Sequence, residues 1–233
     1  MTGWFSAVSV CIKQYFTSHI FSISDLFSSI LSSSVLDFIM VIVAALSLEI
    51  TPLLNALFAK KIKAYSNKTA LYRSENYDLL ITGVGPVMAE RTLTSYLDEY
   101  QPDCILNIGT AGMLTQSMEL GKIYHISSTL TESDNAIFLH LLEGEEGETC
   151  LSVRRSINDS DQRDISHKAH GARLADMECY ALAKIAQEKD IPMSAIKVTT
   201  DYADCETTDM FKQQIEKSAK ILAAEVQKII KSI

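Results

Sequence analysis

Positive charge is scarce in this chain: 21 Lys and Arg stand against 29 Asp and Glu, a net charge of −8 at pH 7 over 233 residues. That balance argues against a nucleic-acid backbone as partner and leaves a small, weakly charged ligand open. Cysteine is present without pattern. Cys11, Cys104, Cys150, Cys179 and Cys205 are dispersed with no C-x-x-C spacing. They read as reduced intracellular thiols, not as a disulfide framework or a zinc site. His19, His125, His140, His167 and His170 contain no H-E-x-x-H pattern. His167 and His170 could share a helix face and hold a metal, but a solvated helix end is the preferred reading. No metal and no other cofactor is expected. The apolar run over residues 4–12 is too short, and too broken by serine, to span a bilayer. Neither a basic n-region nor a small-residue cleavage site is clear, which argues against a signal peptide.

Charge of either sign is nearly missing from residues 1–39, where Lys13, Asp25 and Asp37 are the only charged side chains among Ser, Phe and Ile. Two readings stay open for this stretch. It is an extension upstream of a natural start at Met40, or a targeting or membrane-associating segment. Residues 40–233 read as a single domain, long enough for one sizeable core. Its 47% apolar and 21% charged composition is that of an ordinary globular protein. A cytoplasmic protein is expected, with no membrane partner beyond residues 1–39.

From Met40 onward strand and helix signals alternate. Residues 40–45 are a short apolar run, as a buried parallel strand should be. A helix is predicted over 49–60 and a strand over 77–82. Pro86 can start the next helix, which runs to about residue 100. Strands follow over 104–108 and 122–127. The acidic, glycine-punctuated stretch 142–148 reads as a surface turn. A strand over 151–154, a polar helix over 160–168, a helix over 177–189, a strand over 195–200 and a helix over 208–230 complete the pattern. In the last helix Ile215, Ile221, Leu222 and Val226 mark the apolar side. The alternation predicts a three-layer α/β sandwich around a mixed, mostly parallel sheet. Periodicity alone does not separate a Rossmann-like sheet from a phosphorylase-like one.

Several positions carry chemistry. Gly83-Val84-Gly85 follows a strand but lacks the third glycine of a dinucleotide motif, so a tight strand-to-helix turn explains it as well as a ligand does. Gly109-Thr110-Ala111-Gly112 follows a buried strand; it is a tight loop, or a place where backbone approaches a flat ligand. Glu49 and Glu178 each fall in the first turn of a predicted helix, where a carboxylate is favoured by the dipole alone. Asp201 ends a predicted strand and could be a helix-cap acid. Carboxylates at the C-terminal ends of strands can instead face a ligand crevice. There one can hold sugar hydroxyls while another supplies a proton.

The order of these residues resembles the nucleoside phosphorylase/nucleosidase family, most closely the 5'-methylthioadenosine/S-adenosylhomocysteine nucleosidases. The family's V-x-M-E, Arg and S-D-x-A-D correspond to Ala175-Asp176-Met177-Glu178, Lys197 and Thr200-Asp201-Tyr202-Ala203-Asp204 with no gap. Its N-x-G-S/T-A-G corresponds to residues 107–112, its G-A-M-E-E-E-V to the stretch ending Leu48-Glu49-Ile50, and a pocket Phe to Phe211. The shorter middle of this chain resembles the futalosine-hydrolase branch, which works in menaquinone synthesis.

The resemblance implies hydrolysis of the N-glycosidic bond of a 5'-modified purine nucleoside by a homodimer. Glu49 would be the base and Asp201 the acid at purine N7. Glu178 and the Met177 backbone would hold the ribose hydroxyls. Thr110 and Lys197 would help place the water, Ala111 and Gly112 would lie against base and ribose, and Phe211 would line the 5' side. Ser156 and Ile157 would sit in the loop that reads the purine edge. Phosphorylases of the family carry Arg at the position of Asn107 to grip phosphate, so neutral Asn107 favours water as nucleophile. A phosphorylase and a nucleoside-binding protein without turnover are the rival readings.

Overall fold

The computed structural model describes residues 39–142 and 145–232. Both readings of the segment before Ile39, and part of the predicted 142–148 turn, lie outside the described residues. The elements are β1 (Met40–Ala44), α1 (Ser47–Ala56), β2 (Lys60–Ala64), β3 (Ala70–Arg73), β4 (Tyr77–Ile81), α2 (Pro86–Leu97), β5 (Cys104–Met113), β6 (Ile123–Leu130), β7 (Ile137–Phe138), β8 (Gly147–Ser152), α3 (Ser160–His170), β9 (Leu174–Asp176), α4 (Cys179–Glu188), β10 (Met193–Asp201) and α5 (Thr207–Lys231).

The predicted three layers are present. In β1, Val41 and Val43 enter one core with Leu93 and Tyr96 of α2 and Leu182 of α4. The alternate residues Met40, Ile42 and Ala44 enter the other core with Ile50 and Leu53 of α1 and Leu222 and Val226 of α5. A strand buried on both faces needs the continuous apolar run that Met40–Ala44 supplies.

The sheet is mixed, and the parallel part is its centre. β1 runs parallel to β4 and β5, and β10 runs parallel to β5. Antiparallel pairs enter at one margin and within the ring at the other, where β6–β8 and β8–β9 remain parallel. The β2–β3 hairpin and its junction with β4 are antiparallel, as short connections demand. At the other side β10 also pairs with β6, β6 with β8, β8 with β9, and β9 returns to β5. Five strands thus close into a ring on the end of an open sheet.

Two local expectations fail for physical reasons. The helix expected over 49–60 stops at Ala56 because the chain turns through a Schellman motif: Ala59 N–H donates to Leu54 O (2.9 Å) and Phe58 N–H to Asn55 O (3.3 Å). Phe58 occupies the left-handed position (φ 51°) where glycine is usual, so the sequence carries no stop signal there. The lysine-rich stretch that follows is the edge strand β2, and charge protects such an edge. The second failure is Gly109-Thr110-Ala111-Gly112, which forms no loop: β5 continues through all four residues.

Phe58 is 87% exposed, so its side chain contributes little packing to offset the left-handed backbone. Phe58→Gly should stabilise the fold by about 0.5–1 kcal/mol, the steric relief exceeding the added chain entropy. The urea midpoint at constant m-value measures it; an unchanged or lowered midpoint refutes it.

Candidate active site

The C-terminal ends of β1, β5 and β10 and the start of α4 surround a cavity of about 430 Å³. Glu49, Asp176, Glu178 and Asp201 all contribute to its wall, as do Thr110, Ala111, Gly112, Ser156, Met177 and Phe211. The carboxylates come from separate stretches of sequence, so the fold alone assembles them.

Glu49 is the third residue of α1, and its Oε2 turns back to accept from Leu46 N–H (2.9 Å). This is the acidic half of a capping box. Its Oε1 accepts from both the N–H and the hydroxyl of Thr110 (2.9 and 2.8 Å). Glu49 is therefore at once a helix cap and part of the cavity wall, and it is buried.

Glu178 stands at the N-cap of α4 but does not cap it. Its Oε1 accepts from Gly85 N–H at 2.6 Å. Gly85 has φ 92° and ψ 158°, a conformation open in practice only to glycine. That is the use of the glycine turn after β4: it presents a backbone donor. Burial, and then the charge of Asp176, push the Glu178 carboxyl up to about 8.

Asp201 ends β10. Thr200 Oγ1 donates to its Oδ2 (2.8 Å), while Ala203 N–H and Thr207 Oγ1 donate to Oδ1 (3.0 and 3.2 Å). Burial raises its pKa above the ordinary carboxylate value although these donors oppose the shift. A β-bulge decides where Asp201 points. The register of β10 on β5 shifts between Thr199 and Asp201, which pair with the consecutive residues Ala111 and Gly112. Bulges re-aim side chains in this way. Gly112 is needed there, since a Cβ would lie 2.8 Å from Asp201 Oδ1.

Two sequence expectations are corrected, for Lys197 and Asn107. Lys197 does not line the cavity. It precedes the bulge, faces into the α4 side of the sheet, and is wholly buried in an ion pair with Asp176 (Nζ–Oδ2 2.7 Å). Burial opposes its ammonium, but Asp176 and the neighbouring Cys179, Cys150 and Glu178 outweigh that and raise its pKa. The Ile157 side chain packs with Leu151, Val153 and Ala175 and borders a small recess that shares Gly112, Met177 and Asp201 with the cavity, while Ser156 is at the mouth, so the loop stays against the site. Asn107 also lies off the cavity, its Nδ2 donating to Val43 O (3.1 Å). The case against bound phosphate therefore rests on the lining itself, in which Lys212 at the rim is the single cation.

Asp176 was missed because it occupies the variable position of the V-x-M-E pattern. An acid there and a lysine on a neighbouring buried strand were the available signal. His167 is held away from any ligand set, its Nδ1 2.7 Å from Ala172 O. Among the described residues no three His, Cys, Asp or Glu are grouped to hold a metal ion. A larger cleft of about 490 Å³ lies near Pro102, His140 and Met193, toward the opposite ends of β5 and β10. It contains none of the predicted residues.

The sequence model described as the phosphorylase superfamily matches residues 39–144 and 147–233. The chain belongs to the phosphorylase superfamily. Among relatives, the 5'-methylthioadenosine/S-adenosylhomocysteine nucleosidase of Bacillus licheniformis is 25% identical over 227 residues, covering 82% of this chain and 98% of that protein. The same-named protein of Buchnera aphidicola subsp. Baizongia pistaciae is 27% identical over 213 residues, covering 77% and 84%. The Bacillus alignment has more positions than 82% of this chain can fill, so this superfamily member is shorter inside the matched region. Among solved structures, native futalosine hydrolase of Helicobacter pylori superposes with a TM-score of 0.76 at 18% identity, covering 86% of this chain and all of that one. The 5'-methylthioadenosine/S-adenosylhomocysteine nucleosidase of Helicobacter pylori with butyl-thio-DADMe-Immucillin-A gives 0.76 at 18%, covering 85% and 100%. Likenesses at this identity establish the fold.

The raised pKa of Glu178 has a stability consequence with a definite sign. The folded value near 8 lies above the unfolded carboxylate value of about 4.3, so the native state binds the extra proton. Stability should then fall as pH rises between those values and level off above the upper one. Glu178→Gln removes this slope and should be the more stable protein above pH ~8, by roughly 1–3 kcal/mol. Denaturant unfolding of both proteins at low and high pH checks it; parallel pH profiles refute it.

Proposed function

We propose that this protein is a purine nucleosidase, hydrolysing the N-glycosidic bond of a 5'-modified purine nucleoside. The observation that carries the reading is the meeting of Glu49, Glu178 and Asp201 in one cavity of a phosphorylase-superfamily fold. The nucleosidase and futalosine-hydrolase names of its relatives and neighbours support the substrate class.

In this reading water adds to C1' of the ribose and gives a proton to Glu49, which Thr110 holds in place. The C1'–N bond breaks with its electron pair leaving on the purine. Asp201 supplies a proton at N7, so the base departs neutral. A carboxyl group whose pKa burial has raised is suited to that donation. Glu178 and the Met177 backbone take the ribose hydroxyls. As positive charge develops on the sugar, the acidic wall stabilises it without reorganising. Ala111 and Gly112 flank base and ribose, and Phe211 and Ser156 border the mouth. A phosphate dianion would need fixed cations that this wall does not offer.

The finer form of the proposal is a cytoplasmic homodimer acting on futalosine-type nucleosides in menaquinone synthesis, or on methylthioadenosine in salvage. Val84 at the cavity edge and Val87 beside it are 48% and 66% exposed, an apolar surface suited to a second subunit.

A panel of methylthioadenosine, S-adenosylhomocysteine, futalosine and aminodeoxyfutalosine, assayed with and without phosphate, should show base release that does not need phosphate. Phosphate-dependent release yielding ribose 1-phosphate would overturn the hydrolase assignment. Asp201→Asn should lower kcat by about 10²–10⁴ with little change in binding, because the amide cannot give up a proton. Gly112→Ala should act on the same residue by displacement, lowering kcat by about tenfold or more, as misplacement of a catalytic group by a fraction of an ångström can. Near-wild-type kcat in both variants would leave Asp201 a structural cap.

A further inference from the structure

We propose that Asp176 is a positioning residue for this reaction: it holds the Lys197 ammonium behind Gly109 as a neutralised pair next to the water site of Glu49. The inference rests on the nucleosidase reading and adds a residue to its machinery.

Asp176 is fixed from three elements. Ser152 Oγ of β8 donates to Oδ1 (2.6 Å), Cys179 N–H of α4 donates to Oδ2 (2.9 Å), and Lys197 Nζ of β10 meets Oδ2 at 2.7 Å. Ser152 is itself held, accepting from Tyr180 N–H at 2.9 Å. With so many partners the carboxylate has one orientation, and the lysine it pairs with has one too.

Gly109 shows where that lysine is placed. A Cβ on Gly109 would lie 3.3 Å from Lys197 Nζ and 3.4 Å from Glu49 Oε1. The ammonium and the general base therefore approach one point without pairing with each other. The water that Glu49 would hold is within reach of the lysine's field. So is the ribose carbon that becomes positive.

An isolated buried ammonium there would oppose the developing sugar cation, because charges interact strongly at low dielectric. Paired with Asp176, it acts from behind Gly109 as a dipole whose field reaches the water and Glu49 while its net charge is cancelled locally. Breaking a buried pair by removing one partner leaves an uncompensated charge. Asp176 thus matters through Lys197, and its importance should vanish when Lys197 loses its charge. The charged and titratable groups that face the pair are Glu178 and Cys179 from the start of α4, Cys150 from β8 and Glu49 from α1.

The test is a double-mutant cycle in the full chain, using Asp176→Asn, Lys197→Met and the double variant. The substrate is whichever nucleoside of the panel the wild type cleaves best. In the wild-type background Asp176→Asn should lower kcat by about 10–100-fold, with KM within about threefold and the alkaline limb of the pH profile moved to lower pH. In the Lys197→Met background the same change should lower kcat by no more than about threefold. Asp176→Glu, which keeps the charge, should retain most activity. Equal losses in both backgrounds would overturn the proposal, since Asp176 would then act on its own or merely support the fold. If Asp176→Asn does not fold, the comparison of Lys197→Met with the double variant decides alone: more than a threefold further loss overturns it. A wild type that releases base from no nucleoside would instead sink the parent reading.

Discussion

The whole site hangs on the last turn of register in β5. Gly112 is paired on one side with Ala175 of β9 and on the other with Asp201 of β10. That double pairing closes the ring and places the strand leading to Asp176 and Glu178 and the strand ending in Asp201 on the two sides of one residue. A side chain at Gly112 would have to push Asp201 aside, because its Oδ1 would lie 2.8 Å from the added Cβ. A slip of one residue in either pairing would turn the following side chains to the other face. The cavity would then lose an acid to the core.

Once assembled, the carboxylates of Glu49, Asp176, Glu178 and Asp201 face an electrostatic problem, since like charges in a buried space disfavour one another. The fold resolves it differently for each. Asp176 is neutralised by Lys197. Glu178 retains a proton up to about pH 8. Glu49 accepts three hydrogen bonds from Leu46 and Thr110, and Asp201 accepts three from Thr200, Ala203 and Thr207. Such an arrangement lowers stability relative to an apolar wall, and functional sites commonly do. It is also the arrangement that a positively charged sugar in a transition state would find favourable.

Much of this was legible in the residues. The apolar runs of β1 and β10, Pro86 at a helix start and the acids at strand–helix junctions are local signals, and local signals survive folding. What was not legible depended on geometry without a local mark. Phe58 ends α1 in a position where glycine is the usual cue. The small residues 109–112 looked like a loop but are strand, because the ring requires β5 to run on past the open sheet. Lys197 was expected beside the water because it stands where the resembling family has an Arg, and strand parity agrees with that expectation. In an uninterrupted strand Lys197 and Asp201, an even number apart, would share a face. The bulge after Thr199 breaks that parity, so Asp201 reaches the cavity and Lys197 reaches the core. Asp176, adjacent to the recognised Met177-Glu178, went unread because its partner is distant in sequence.

The two ends of the cavity differ in how firmly they are built. At the inner end Glu49, Asp176 and Asp201 are each tied to strands and helix starts by several short hydrogen bonds and Glu178 by one to Gly85, and rotation of any of them would leave buried donors unmatched. At the mouth the lining is Leu46, Val84, Ser156, Phe211 and Lys212, and the ion pair of Lys212 with Asp209 is long (3.6 Å) between exposed side chains. An exposed pair of that kind constrains little. On the proposed reading, the bond-breaking end of the nucleoside meets the rigid part and its 5' substituent meets the adaptable part. Side chains at the mouth can change size or charge without disturbing the ring closure at Gly112. Substrate choice can therefore shift from one 5' group to another while the chemistry, which depends on Gly112 and the acids around it, stays the same.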